Sequence, residues 1–132
     1  MAIKMALEQG EYDGNDVLYI NAHGTGTPLN DVNETAAFKS ALGENAYKAH
    51  ISSTKSCTGH LLGAAGAIEA VASVLALRDG IVPPTVNLDE SDPECDLDYT
   101  PHKAVRVPLT MAISDSLGFG GHNACLAFRK VK

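Results

Sequence analysis

The sequence has no tryptophan and only 5% aromatic residues, so its core must be assembled from alanine, valine, isoleucine and leucine. Twelve glycines accompany them, and small residues of this kind let backbones approach closely. Cysteine is scarce. Cys57, Cys95 and Cys125 are odd in number and lie too far apart for CxxC pairs, which argues against a disulfide framework or zinc ribbon and points to a reducing, intracellular setting. Basic residues number 10 against 16 acidic ones, and the net charge of -6 argues against nucleic-acid or anionic-membrane partners, which favour a basic face. No basic-then-apolar signal segment follows Met1, so the cytoplasm is the expected location. With 45% hydrophobic and 20% charged residues, the 132-residue chain is expected to form one soluble domain around a single core.

Only one stretch approaches a long hydrophobic run. Leu61–Leu77 carries a single charge, Glu69, but it falls short of the roughly 20 residues that span a bilayer and is weakened by Gly63 and Gly66. A helix that is apolar all round in a soluble protein is buried on several sides. Its small residues, Gly63 to Ala67, would let its first turns meet another backbone, so part of its packing environment is expected to lie outside this chain.

The rest of the sequence alternates helices and strands, without a repeat or a low-complexity linker. Ala2–Gln9 reads as a short helix stopped by Gly10. Val17–Ala22 reads as a strand and His23–Asn30 as a turn. A helix capped by Asn30 or Asp31 is expected to run to about Leu42, with Glu34, Lys39 and Ser40 on its wet side and Ala36, Ala37 and Leu42 on its dry side. His50–Ser53 is a short strand and Thr54–His60 a loop. Pro83, Pro84 and the acidic stretch Asp89–Asp98 form an irregular excursion. Three strands follow, Ala104–Val107, Leu109–Ser114 and His122–Lys130, with Asp115–Gly121 as a turn between the last two. An α/β domain with a mixed sheet is the predicted class.

Three loops after predicted strands carry glycine beside a chemically capable side chain, which is where binding and catalysis concentrate. In Asn21-Ala22-His23-Gly24-Thr25-Gly26-Thr27, two glycines permit tight turns and two hydroxyls can bond a polar ligand; the spacing is neither GxGxxG nor a P-loop. A polar turn with a merely satisfied histidine is the alternative. In Ser53-Thr54-Lys55-Ser56-Cys57-Thr58-Gly59-His60, the histidine is expected at the start of the apolar helix, where the helix dipole and Lys55 disfavour imidazolium and lower its pKa. Such a neutral imidazole suits hydrogen-bond donation to a developing oxyanion, although a plain helix-capping role fits the spacing too. Cys57 with His60 as its base is a less supported pairing, since a free cysteine behaves more often as a small hydrophobe. The third loop, Ser114-Asp115-Ser116-Leu117-Gly118-Phe119-Gly120-Gly121-His122-Asn123, is glycine-rich with one bulky residue at its middle. A zinc site from His23, His60 and His122 lacks the supporting spacings.

In this order, NAHGTGTPLND, STKSCTGHLLGAAG and SLGFGGHNA closely resemble the C-terminal half of a β-ketoacyl-acyl carrier protein synthase. The resemblance covers essentially the whole chain, and the TGHLLGAAG form is closer to the type II enzyme of fatty acid elongation than to a polyketide ketosynthase. It implies a thiolase-like fold of two similar α/β halves in five layers, normally dimerised through the N-terminal halves, with the Leu61–Leu77 helix in the buried central layer. The implied reaction is a decarboxylative Claisen condensation of an acyl thioester, held on a cysteine, with malonyl-carrier protein. No cofactor is implied.

The resemblance assigns catalytic roles to His23 and His60, which would bind the thioester oxygen and stabilise the enolate, and to Lys55, which would orient them. Thr25 and Thr27 would bind the pantetheine arm. The Phe119 N–H would complete an oxyanion hole while its ring gates the acyl pocket, and Gly120 would join the substrate-binding turn. A hard cation near Asn21, Glu69, Ser114 and Asp115 is also implied. The departures carry weight. No nucleophile elbow precedes His23, Cys57 stands where the family usually has methionine, and Asp115 and Leu117 stand where it usually has asparagine and phenylalanine. The reading is therefore a C-terminal half over 1–132 that lacks its nucleophile and is inactive alone, or else a module that pairs with a separate N-terminal half. Acyl carrier protein and acyl or malonyl thioesters are the expected partners of the full enzyme. The negative chain is expected to repel the acidic carrier, and the apolar helix is expected to drive homo-oligomer formation.

Overall fold

The computed structural model describes residues 1–25, 27–86, 93 and 95–131, without the side chains of Pro28 and Phe119. A four-stranded sheet in the order β2-β1-β5-β6 organises the chain, formed by β1 (Leu18–Asn21), β2 (His50–Ser52), β5 (Met111–Leu117) and β6 (Asn123–Arg129). β1 is parallel to both β2 and β5, and β6 runs antiparallel to β5, which makes the predicted mixed sheet. A separate ribbon joins β3 (Ile81–Val82) to β4 (Val105–Arg106).

Strand alternation divides the core in two. Leu18, Ile20, Ala22, Met111 and Ile113 face α1 (Ala2–Gln9) and α2 (Pro28–Leu42), where Ile3, Leu7, Phe38 and Leu42 meet them. Tyr19 and Ala112 face the other way, toward Ala76 and Leu77 of α4 (Ala65–Asp79). At the lower end, Arg129 ties β6 to the α1–β1 connection through Gly10 O, Glu11 O and both Asp16 oxygens at 2.8–2.9 Å, and holds the Asp16 carboxyl well below the usual range.

The structure corrects several sequence expectations. α2 starts at Pro28 with Thr27 in the capping position, ahead of Asn30 and Asp31, because proline has the φ of a first helical turn and gives up no needed donor there. Its inner face is rotated from the expected one: Leu42 is buried and Ser40 exposed as expected, but Glu34, Thr35 and Phe38 are buried while Ala36 and Ala37 are exposed. The large Phe38 decides which stripe turns inward, and Glu34 lies one turn before it. Thr54–His60 is not all loop, since α3 (Lys55–Thr58) forms one helical turn within it. β5 runs on to Leu117, so Asp115 is in the ladder and not in a turn. Of the acidic excursion, residues 89–92 and 94 lie outside the described residues.

The apolar helix differs most. A 3-10 turn over Leu62–Ala64 precedes α4, which begins at Ala65 and ends at Gly80 in the left-handed conformation, φ 64°. It is not buried all round within this chain. Ala65, Glu69, Ser73, Ala76 and Leu77 face inward, whereas Ile68, Val71, Val74 and Leu75 are exposed. The inward side thus carries Glu69 and Ser73 as well as Ala76 and Leu77, while four large apolar residues point outward, unlike an ordinary surface helix.

Candidate active site

The predicted site residues gather past the carboxyl ends of the parallel strands, where open α/β sheets bind ligands. His23 and Gly24 continue from β1, Ser53 to Lys55 from β2, and Gly118 to Gly121 from β5. Gly24 sits at φ 45°, and any Cβ there would run into the Ser53 side chain. That position therefore requires glycine.

His23 is 7% exposed and its ring stands edge-on to that of His60, with centroids 5.6 Å apart. Burial, then the Lys55 ammonium, then His60 push the His23 pKa down to about 4, so it is a neutral imidazole at pH 7. The sequence reading gave that electrostatic position to His60. His60 instead is exposed and precedes the 3-10 turn, so it does not sit at the N-terminus of α4. Its Nδ1 accepts the Leu62 N–H at 3.3 Å, which leaves Nε2 as the ring's donor. Two imidazoles in ring contact can both donate a hydrogen bond to one developing oxyanion.

Lys55 is buried and ion-paired with Glu69 of α4, itself buried with Oε2 unpartnered among the described residues. The pair brings a fixed positive charge to the His23 side of the site without leaving it uncompensated. Glu34 is the residue the sequence reading missed. It is 3% exposed, and its two oxygens accept the His23 N–H at 2.6 Å and the Gly24 N–H at 3.0 Å, with Asn30 donating a third bond at 3.1 Å. Its spacing of four residues before Phe38 and eight before Leu42 was the available signal.

Thr25 and Thr27 lie at the rim with their hydroxyls 3.2 Å apart. Phe119 and Gly120 form a short 3-10 turn at the end of β5, with Gly120 at φ 76° and the Phe119 ring outside the described part. Cys57 is exposed and its thiol faces the Pro84 carbonyl at 3.9 Å, away from the arrangement a Cys57–His60 couple needs. Cys125 is half-buried opposite Asp115 in the ladder, and desolvation, then the Asp115 charge, push its thiol up to about 12 and make it inert.

The implied cation set does not fit. Asn21 and Ser114 are paired in register on the α4 face, and the Asn21 amide is already engaged with Thr54 Oγ1 and the Glu69 carbonyl. Asp115 follows Ser114 and therefore points to the opposite face, toward Glu34 and the Met1 ammonium. The four side chains cannot converge on one ion, and Glu69 already has Lys55 as its cation. Among the described residues no group of three His, Cys, Asp or Glu side chains is placed to hold a metal.

This sheet, with two histidines and a buried lysine at its strand ends, is part of a thiolase-like ketosynthase fold. It superposes with a TM-score of 0.93 on the ketosynthase of a type II PKS acyl-carrier-protein complex bound to the hexaketide, at 44% identity, covering 98% of this chain and 32% of that one. A beta-ketoacyl synthase from Burkholderia phymatum gives a TM-score of 0.89 at 40% identity, with 98% and 31% covered. The family described as beta-ketoacyl synthase, C-terminal domain, matches residues 1–89, and the chain belongs to it. Among curated relatives, 3-oxoacyl-[acyl-carrier-protein] synthase 2 of Synechocystis sp. is 57% identical and that of Staphylococcus aureus 51% identical, each over 129 residues. The chain spans 31% of the length of those relatives, nearer a third than a half.

Proposed function

We propose that the chain forms the histidine-bearing part of the active site of a 3-oxoacyl-acyl carrier protein synthase of fatty acid biosynthesis. The observation that carries this is the neutral, buried His23 in ring contact with His60 beside the Lys55–Glu69 pair. The acyl group would be held on a cysteine supplied from outside residues 1–132. When malonyl-carrier protein loses carbon dioxide, the electron pair of the broken C–C bond becomes an enolate, and His23 and His60 donate hydrogen bonds to its oxygen. The enolate carbon then attacks the acyl carbonyl, and the C–S bond to the cysteine breaks. Thr25 and Thr27 bind the pantetheine arm, and the Phe119–Gly120 turn offers an N–H to the acyl oxygen. The electrons come from decarboxylation, so the chemistry requires no redox cofactor.

Covalent catalysis needs the acceptor thiol, and the isolated chain is therefore inactive. Grafted in place of the C-terminal third of the Synechocystis relative, it should restore condensation, and His23→Ala or His60→Ala should each lower the rate about 100-fold or more. Turnover by the isolated chain, or a folded but inactive graft, would overturn the assignment. Docking of the acidic carrier protein falls mainly to the remainder of the enzyme. A cytoplasmic setting suits the free thiols of Cys57 and Cys125, and no helix among the described residues is long and apolar enough to cross a membrane.

The exposed Ile68, Val71, Val74 and Leu75 face is where the remainder of the enzyme packs, and in the isolated chain a second copy takes its place. Sedimentation at micromolar concentration should find a dimer or larger assembly that Val71→Glu dissociates. A folded monomer indifferent to that substitution would refute self-association.

A further inference from the structure

From the contacts behind His23 we infer that Thr85 and Ser53 are positioning residues: the segment that follows α4 clamps Ser53, and Ser53 sets the His23–Gly24 backbone. This rests on the reading of His23 as a catalytic histidine. Ser53 is held at its N–H directly by that segment and at its carbonyl through Ser56, which the segment's next residue in turn contacts. Its N–H donates to Thr85 Oγ1 at 3.1 Å. Its carbonyl accepts the Ser56 hydroxyl at 2.8 Å, and that same hydroxyl oxygen accepts the Val86 N–H at 2.9 Å. So fixed, Ser53 donates its own hydroxyl proton to the Gly24 carbonyl at 3.0 Å. Glu34 holds the N–H groups of His23 and Gly24 from α2. The left-handed Gly24 peptide is therefore gripped from two sides by unrelated parts of the chain, and Thr85 controls one grip.

Thr85 is itself pinned. Its hydroxyl donates to the Tyr99 carbonyl at 2.7 Å, its N–H to the Thr100 carbonyl at 2.9 Å, and its carbonyl accepts the His102 N–H at 3.2 Å. Thr100 adopts φ 49°, a conformation β-branched residues avoid, and is held there by its hydroxyl on the Ile51 carbonyl and its N–H on Asp98. Strain of this kind persists only where the surroundings over-determine it, and here it lies directly behind the residue that clamps Ser53. Threonine at 85 is needed for its single hydroxyl, which accepts from Ser53 while donating to Tyr99; serine can do the same and valine cannot.

Amide hydrogen exchange on the full chain, paired with turnover of the grafted enzyme, tests this. Thr85→Val should speed exchange at Ser53 and Gly24 about tenfold or more while Ile20 in β1 is unchanged, and Thr85→Ser should restore protection. In the graft, Thr85→Val should lower kcat about tenfold with KM little altered, because the binding threonines are untouched. Unchanged exchange at Gly24, a uniform change across the β1 amides, or loosened exchange without loss of kcat would each overturn the inference. If Thr85→Val does not fold, Ser53→Ala decides: a local loss of protection at Gly24 supports the clamp and its absence refutes it. The exchange result does not depend on which reaction the site performs, so it separates failure of the clamp from failure of the enzymatic reading.

Discussion

Replacing Lys55 by alanine should cost the fold about 3 kcal/mol or more, a large part of the 5–15 kcal/mol that typically holds a domain of this size. The reason is the burial of its partner. Glu69 is 2% exposed on the inward face of α4, already has Oε2 unpartnered among the described residues, and would be left as an uncompensated charge between helix and sheet. Removing both charges should cost far less. Lys55→Met with Glu69→Leu replaces the ion pair by apolar groups, an exchange that is often neutral or stabilising by about 1–4 kcal/mol. Denaturant unfolding of the three proteins checks this, and a double variant as unstable as Lys55→Ala would contradict it. The cost in the site runs the other way. The Lys55 ammonium helps hold the His23 pKa near 4, so in the stable double variant His23 should titrate closer to its ordinary 6.5. Lysine at this position therefore serves the imidazole more than the fold.

Asp115→Asn should stabilise the chain above neutral pH and do nothing in acid. Asp115 is 1% exposed, neither of its oxygens has a described hydrogen-bond partner, and burial followed by repulsion from Glu34 pushes its pKa up to about 7. Below pH 3.8 the carboxyl is protonated in folded and unfolded chains alike. As the pH rises from there to 7, the unfolded chain releases its proton and the folded chain does not, so stability falls; above 7 the penalty is complete. That penalty is on the order of 4 kcal/mol, and asparagine, which keeps a buried amide, should recover roughly 2 kcal/mol of it at pH 8. His23 acts with the opposite sign: its folded pKa is depressed, so stability is whole above 6.5 and is lost as the pH falls toward 4. The two slopes oppose each other in the wild-type chain. In Asp115→Asn the His23 slope is no longer opposed by that carboxylate, and thermal unfolding should show stability rising from pH 4 to about 6.5 and then levelling off. Equal melting-temperature changes at pH 4 and pH 8 would remove the buried charge as the cause.

The sequence by itself determined the order of the longer helices and strands, the mixed α/β class, and the segments that carry His23, His60, Lys55 and the Phe119 turn. Those features are local: glycines that permit tight turns, short apolar strands, and motifs whose residues stand close along the chain. Burial was decided by the tertiary structure, because it depends on neighbours that arrive from distant segments. Glu34 reads as a solvent-facing carboxylate until α2 docks and the amides of His23 and Gly24 reach it. Asp115 reads as a turn residue beside Ser114 until β6 extends the ladder and strand alternation sends the two to opposite faces. On paper the perturbed imidazole is His60, and only the packing around the strand ends buries His23 instead and leaves His60 at the surface. The apolar content of α4 was plain in the sequence, but which side faces inward was not. The inward side carries Glu69 because Lys55, fourteen positions earlier, is carried under it by α3 and supplies the charge that makes a buried carboxylate tolerable there.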